Sequence, residues 1–253
     1  MIAASLQSGS NGNCTYVECG GVGLLFDAGI CGAEAARRLA ALGRDIRSVR
    51  AVIVSHDHAD HIRYAGVYQR KYGLPLYVTA RTLCAAEAKL DLGRLDDIHL
   101  FLAGGTLSFG DVSVTTIPTP HDSEDGAVFV VSHGQKRLGV MTDLGHLFKE
   151  LPQTISTLDA VFIESNYDPV LLAKGPYPPS LKRRIEGAGG HISNYEAAEL
   201  LCEGARLKWA CLAHLSETNN YPSLALETHR KIVPKGLVLH TAGRYSSSGL
   251  LSV

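Results

Sequence analysis

A chain of 253 residues, 45% hydrophobic and 19% charged, can bury a core without disulfide staples, and this composition excludes a disordered or coiled-coil protein. With 24 Lys and Arg against 25 Asp and Glu the net charge is -1, so the whole-molecule field advertises neither nucleic acid nor an acidic membrane, although a local basic groove stays open. No apolar run approaches the ~20 residues of a membrane-spanning helix.

The opening Met1-Ile2-Ala3-Ala4-Ser5 lacks the basic and apolar regions of an export signal, so the expected location is cytoplasmic, with no membrane partner. The 6 cysteines form no CxxC pair and are expected to be reduced, mostly buried thiols.

In chain order, short apolar runs predict strands at 3–6, 15–18 and 22–27, then a helix at 33–42. A buried strand at 51–55 leads into a His/Asp cluster and a helix at 62–72. Strands follow at 76–78, 112–117, 127–131, 137–142 and 160–164. The segment 174–190 is rich in Pro, Gly, Lys and Arg and reads as a surface excursion. Ser193, with Glu196 three residues on, resembles a capping box for a helix at 195–203. A strand at 209–213, a helix at 224–232 and a strand at 237–240 complete the chain. Helices distributed throughout predict an α/β fold of two sheet layers flanked by helices. No segment reads as an interdomain linker, so one domain over 1–253 is expected.

Histidine is unusual at 11 residues. Residues 51–61 read Ala-Val-Ile-Val-Ser-His-Asp-His-Ala-Asp-His. Loops at strand ends are where catalytic groups usually sit. Two-residue alternation lets His56 and His58 point one way, while Asp60 and His61 lie where the next helix begins. That spacing suits two adjacent metal ions, each taking two ligands from one loop. So much ionisable surface beside a buried strand is costly without a ligand. Imidazole and carboxylate suit zinc, and also manganese or iron. Further ligands are available after later strands at His121, Asp143 and His214, and the two oxygens of Asp143 suit a bridge.

These residues resemble the metallo-β-lactamase fold superfamily, whose HxHxDH signature stands here as His56, His58, Asp60 and His61, with His121, Asp143 and His214 in order behind it. Within it the chain is most similar to the WalJ/YycJ group, through Ser8-Gly9-Ser10-Asn11-Gly12-Asn13-Cys14, His191-Ile192-Ser193-Asn194 and His214-Leu215-Ser216-Glu217-Thr218-Asn219-Asn220. The resemblance implies an αββα sandwich with the site on its rim. It implies two divalent ions, Zn2+ or Mn2+, one on His56, His58 and His121, the other on Asp60, His61 and His214, with Asp143 bridging. It also implies DNA nuclease activity of the 5'-3' exonuclease type, on nucleic acid, DNA favoured, or a small phosphodiester.

The expected chemistry is attack by a bridging hydroxide, oriented by Asp60, with His191 protonating the leaving oxygen and Glu164 bracing the ligands. The separate domain and long arm of larger relatives are missing, which leaves short or end-bound substrates in view.

Two other classes stay open at this level. One is a small-molecule metallo-hydrolase: a cyclic phosphodiesterase, a lactonase or a thioesterase of the glyoxalase II kind. The other is a metal-stabilised binding module. Fold alone does not decide between them. His191 and the His214-Leu215-Ser216 context favour phosphodiester chemistry. Asp57 is expected to face away from the metals, and His99, His133, His146, His229 and His240 to be structural or exposed. The 8–13 loop suits an anion nest or a plain turn. Lys174, Lys182, Arg183 and Arg184 suit a phosphate track or a solvated face, and Tyr177 suits base stacking. Arg244 and Tyr245 carry no assigned role.

Overall fold

A computed structural model describes residues 1–253. In the first sheet, β1 (Ile2–Gln7), β2 (Cys14–Cys19) and β3 (Val22–Phe26) pair antiparallel. Three parallel neighbours follow: β4 (Val49–Ile53), β5 (Leu76–Thr79) and β6 (Ile98–Phe101). The second sheet repeats that plan. Strands β7 (Thr106–Phe109), β8 (Val112–Pro118), β9 (Ala127–His133) and β10 (Lys136–Met141) pair antiparallel. Then β11 (Ala160–Glu164), β12 (Trp209–Ala213) and β13 (Val238–Thr241) run parallel to β10. The last strand, β14 (Leu251–Ser252), returns to pair with β1, so each sheet has seven strands.

Period-2 alternation makes each sheet apolar on both faces. Along β4, Ala51 and Ile53 face the other sheet while Val52 faces outward; along β11, Ala160 and Phe162 face inward while Val161 and Ile163 face outward. Three apolar clusters result, one between each pair of adjacent layers. The inter-sheet cluster centres on Phe26 and Phe129, whose ring centroids lie 5.0 Å apart. The second packs the first sheet against α1 (Gly32–Ala41), α3 (Ala65–Tyr72) and α4 (Ala80–Lys89). The third packs the second sheet against α5 (Glu150–Ser156), α8 (Asn194–Leu201) and α9 (Pro222–Ile232). Four layers in the order αββα follow, with two mixed sheets inside. No helix is long and apolar enough to cross a membrane.

The Ser193 capping box closes in both directions, with Ser193 Oγ accepting from Glu196 N and Ser193 N donating to Glu196. Several elements differ from expectation. The helix expected at 62–72 is two, α2 (Ala59–Ile62) and α3, broken at Arg63 and Tyr64. The 174–190 excursion holds α7 (Pro179–Glu186), packed on α6 (Pro169–Lys174) through Leu172, Ile185 and Tyr167. Helices α4 to α6 and strands β6, β7 and β14 were not anticipated. Cys31, Cys84 and Cys202 are exposed, so only half of the thiols are buried, though all six are free.

Candidate metal centre

Strands β3, β4 and β10 to β13 each run parallel to a neighbour, and carboxyl ends of parallel strands are where α/β sheets gather their ligand groups. Asp27 follows β3, His56 follows β4, Asp143 follows β10, Glu164 ends β11 and His214 follows β12. His58 caps the start of α2, and Asp60 and His61 lie within its single turn. This turn lets the second pair of loop residues face a different point from His56 and His58.

The structure brings the seven sequence-predicted ligands together. His56, His58 and His121 present ring nitrogens within 4.8 Å of one another; a carboxylate oxygen of Asp60 groups as closely with nitrogens of His61 and His214, and Asp143 groups with His56 and His61. No cysteine joins these groups.

Hydrogen bonds assign the free nitrogen of most rings. His61 Nδ1 donates to Asp27 Oδ2 at 2.7 Å, which leaves Nε2 facing Asp143 Oδ2 at 3.2 Å and Asp60 Oδ2 at 3.5 Å. His121 Nδ1 donates to Gly190 O at 2.8 Å, so its Nε2 faces His58 Nδ1, 3.3 Å away. His58 Nε2 is turned to Asp122 O at 3.2 Å. His56 Nδ1 lies 2.9 Å from Ser55 Oγ.

His56 Nε2 is buried with no hydrogen-bond partner, and Asp143 Oδ2 has only His61 Nε2 beside it, 3.2 Å away. An unsatisfied buried polar group costs ~1–3 kcal/mol. The orphaned His56 nitrogen, aimed into a ring of imidazoles and carboxylates, fits divalent metal.

Charge tells the same story. Burial holds the His56 imidazole well below its ordinary pKa, and the neighbouring His61 adds to this. Burial also pushes His58 down, with His121 beside it. Burial opposes charge on His61 as well, yet Asp27, Asp143 and Asp60 outweigh it and raise that ring well above the ordinary value. His214 is pushed up to about 10, because Asp143 first and then Asp60 and Glu164 overcome its burial. Burial favours neutral carboxyls, but His214 and His61 hold Asp143 well below the usual range, and His191 brings buried Glu164 to about 2. The surrounding carboxylates thus favour the charged forms of His61 and His214.

Asp60 and His191 were expected to be catalytic. Asp60 Oδ2 accepts from Asn13 Nδ2 at 3.2 Å and stands 3.5 Å from His214 Nε2. His191 Nδ1 donates to Glu164 Oε1 at 2.6 Å. Glu164 also accepts from Leu144 N and Ile192 N at 3.0 and 3.3 Å, so it braces the loop after β10 and the His191 segment together. Asp57 faces away from the cluster, as expected, and is buried: it takes Lys89 Nζ at 2.6 Å and Glu124 N at 2.9 Å.

Three N–H groups of the 8–13 loop are spent within the protein. Gly9 N is spent on Asn13 Oδ1, Gly12 N on Gly9 O and Asn13 N on Asp60 O. Its work is to seat Asn13 against Asp60 and His61, and Gly29 makes room for this. A Cβ on Gly29 would fall 1.6 Å from Asp60 O.

The sequence reading missed Asp27 and Asn13. Asp27 was read as the last residue of a strand. The available signal was a carboxylate closing a buried apolar run ahead of Ala28-Gly29. Asp27, Asp143 and His214 share left-handed backbone, with φ of 67°, 60° and 54°. That conformation is rare outside glycine and clusters at functional sites. Of the basic residues near 184, Arg184 meets Asp122 through two bonds of 2.6 and 3.0 Å, and Lys182 Nζ is taken by Ala173 O. Arg184 and Tyr177 line the cavity that holds His191 and His214.

The chain is similar to known proteins over most of its length. Residues 23–214 match the family model described as a beta-lactamase superfamily domain. The chain is 35% identical over 224 residues to exodeoxyribonuclease WalJ of Streptococcus pneumoniae, covering 87% of this chain and 83% of that protein. It is 34% identical over 222 residues to exodeoxyribonuclease YycJ of Bacillus anthracis, covering 87% and 84%. Among solved structures, the metallo-beta-lactamase fold protein YhfI from Bacillus subtilis superposes with a TM-score of 0.73 at 16% identity, over 100% of both chains.

Proposed function

The chain belongs to the β-lactamase superfamily, in the company of WalJ and YycJ, and on that premise we propose that it is a metal-dependent nuclease that hydrolyses DNA from an end. Two divalent ions, zinc or manganese, would be held by His56, His58 and His121 on one side, by Asp60, His61 and His214 on the other, and by Asp143 between them. Bound there, such ions would lower the pKa of water and offset charge on the phosphoryl oxygens.

The observation that carries this reading is His191. Its Nδ1 is fixed on a buried, ionised Glu164, so its other nitrogen is the one left to a substrate, and the ring lines a cavity shared with Arg184. A phosphodiester needs a proton on its departing oxygen, and a positioned acid supplies ~10²–10⁴-fold in rate. Arg184, pinned by Asp122, offers its guanidinium to the phosphate. Asp60, steadied by Asn13, would orient the attacking water.

The test is hydrolysis by metal-loaded protein of end-labelled single- and double-stranded DNA, beside bis(p-nitrophenyl) phosphate and a lactone. Loss of nucleotides from one end, abolished in Asp60→Ala, is the expected result. Turnover of the small diester alone would move the protein to a small-molecule phosphodiesterase. Lactone turnover without phosphodiester cleavage would sink the reading.

A further inference from the structure

The surface beyond His191 stays open. The cavity that holds His191 and His214, about 160 Å³, is bounded by Leu215 and Ser216. These two residues also wall a second cavity of about 300 Å³, whose other side is formed by Tyr221, Arg244 and Tyr245. The two cavities therefore adjoin across Leu215 and Ser216, on the face between the metal ligands and the start of α9.

Their lining is unusual for a solvated surface. Tyr221 is 51% exposed and Tyr245 69%, and Tyr195 is the only other tyrosine so open to solvent. Both flank the second cavity, while the half-buried Tyr177 lines the first. Arg244 lines the second cavity, beside Leu215. Its guanidinium donates to Leu215 O at 2.6 Å and Asn11 Oδ1 at 3.1 Å. A Cβ on Gly9 would sit 3.1 Å from that guanidinium, so the bare loop leaves room for it. Glu217 is the one acidic side chain on the second cavity, 3.2 Å from Tyr245 Oη.

We propose that the two cavities form a groove that seats the unpaired end of a single DNA strand, its bases stacked on Tyr221 and Tyr245 and its phosphates passing Arg244 and Arg184 toward His191. Open aromatic rings interleaved with guanidinium groups are how proteins grip single strands without reading sequence. Bases of an intact duplex are stacked on each other and cannot use the rings, so the groove selects frayed or overhanging ends. This inference rests on the nuclease reading above.

The experiment is fluorescence anisotropy of a fluorescein-labelled oligothymidylate, phosphorothioate-linked to slow cleavage, with metal-loaded protein. It is paired with kcat/KM on single-stranded DNA relative to bis(p-nitrophenyl) phosphate. Tyr221→Ala and Tyr245→Ala should each weaken binding by about 5- to 150-fold, the range of one base–aromatic stack. The DNA-to-diester ratio should fall with it, mainly through KM. Tyr221→Phe and Tyr245→Phe keep the ring and should bind like the parent, whereas a hydroxyl-mediated structural role would be lost in them. Tyr195→Ala serves as the surface control.

If the alanine variants bind and cut DNA as well as the parent, the groove is overturned and the nuclease stands. If the parent neither binds nor cuts DNA but turns over the small diester, both fall together.

Discussion

The two sheets follow the same strand plan and serve the site in opposite ways. The first sheet delivers His56, His58, Asp60 and His61 from one loop, seated from behind by Asp27 and Asn13. The second delivers His121, Asp143, Glu164 and His214 singly, each from a different strand end. The first arrangement is local and depends on one turn of helix. The second is set by register, because β10, β11 and β12 must end level for their side chains to meet. Each half of the centre thus fails for a different reason.

The largest effect should come where the halves meet. Asp143→Ala removes the carboxylate that lies beside both His56 and His61, and turnover should drop by ~10³-fold or more, the scale of losing a positioned charge in a buried site. Elemental analysis should show less metal bound per chain, and full retention of metal would break the bridging assignment. His191→Ala should cost ~10²–10⁴-fold in kcat on DNA. On bis(p-nitrophenyl) phosphate, whose leaving group departs without a proton, the loss should be far smaller. Equal losses on both substrates would assign His191 a structural task.

Acid should distinguish the halves next. His229, on α9 over the second sheet, is fully buried; its Nδ1 donates to Ala225 O and its Nε2 has no partner. Burial lowers its pKa to about 4. The unfolded chain takes up this proton near pH 6.5 and the folded chain does not. Its contribution is therefore complete above 6.5 and is lost as pH falls toward 4, about 3 kcal/mol in all. Between the top and the bottom of that window, the stability of the parent should fall by this amount more than that of His229→Leu, read by denaturant melts. Hydrogen exchange should show α9 and the second sheet loosening before β1 to β5.

The smallest effect sharpens the comparison. Asp27→Asn weakens the hold on His61 Nδ1, so metal affinity should fall ~10–100-fold. Glu164→Gln acts on His191 as well, so it should reduce kcat more than metal affinity. Competition with a chromogenic chelator reads the first, and steady-state kinetics the second.

How much of this was legible depended on the same contrast. The 56–61 loop announced itself because five ionisable residues directly follow a buried strand, and its register with the other ligands followed from strand ends. Asp27 and Asn13 did not, because each is one polar residue in a turn, and only the fold places it behind His61 and Asp60. The 174–190 segment misled through its composition. Pro178 and Pro179 read as loop residues, yet Pro179 opens α7 at a position where its missing N–H costs nothing. Edge strands such as β6 were lost because Leu100 is exposed and the burial pattern does not alternate. Arg244 and Tyr245 carried no motif, and only the closure of the groove gives them a neighbourhood.

The left-handed backbone at Asp27, Asp143 and His214 has a consequence for how such a chain would decay. Glycine occupies that conformation freely, whereas other residues meet a steric cost of roughly 1–2 kcal/mol. Random drift therefore has a standing incentive to erase these three positions, and only the demand for activity opposes it. In a lineage released from that demand, the ends of β3, β10 and β12 would turn to glycine while the apolar layer between the sheets was still intact, leaving a stable fossil of the enzyme.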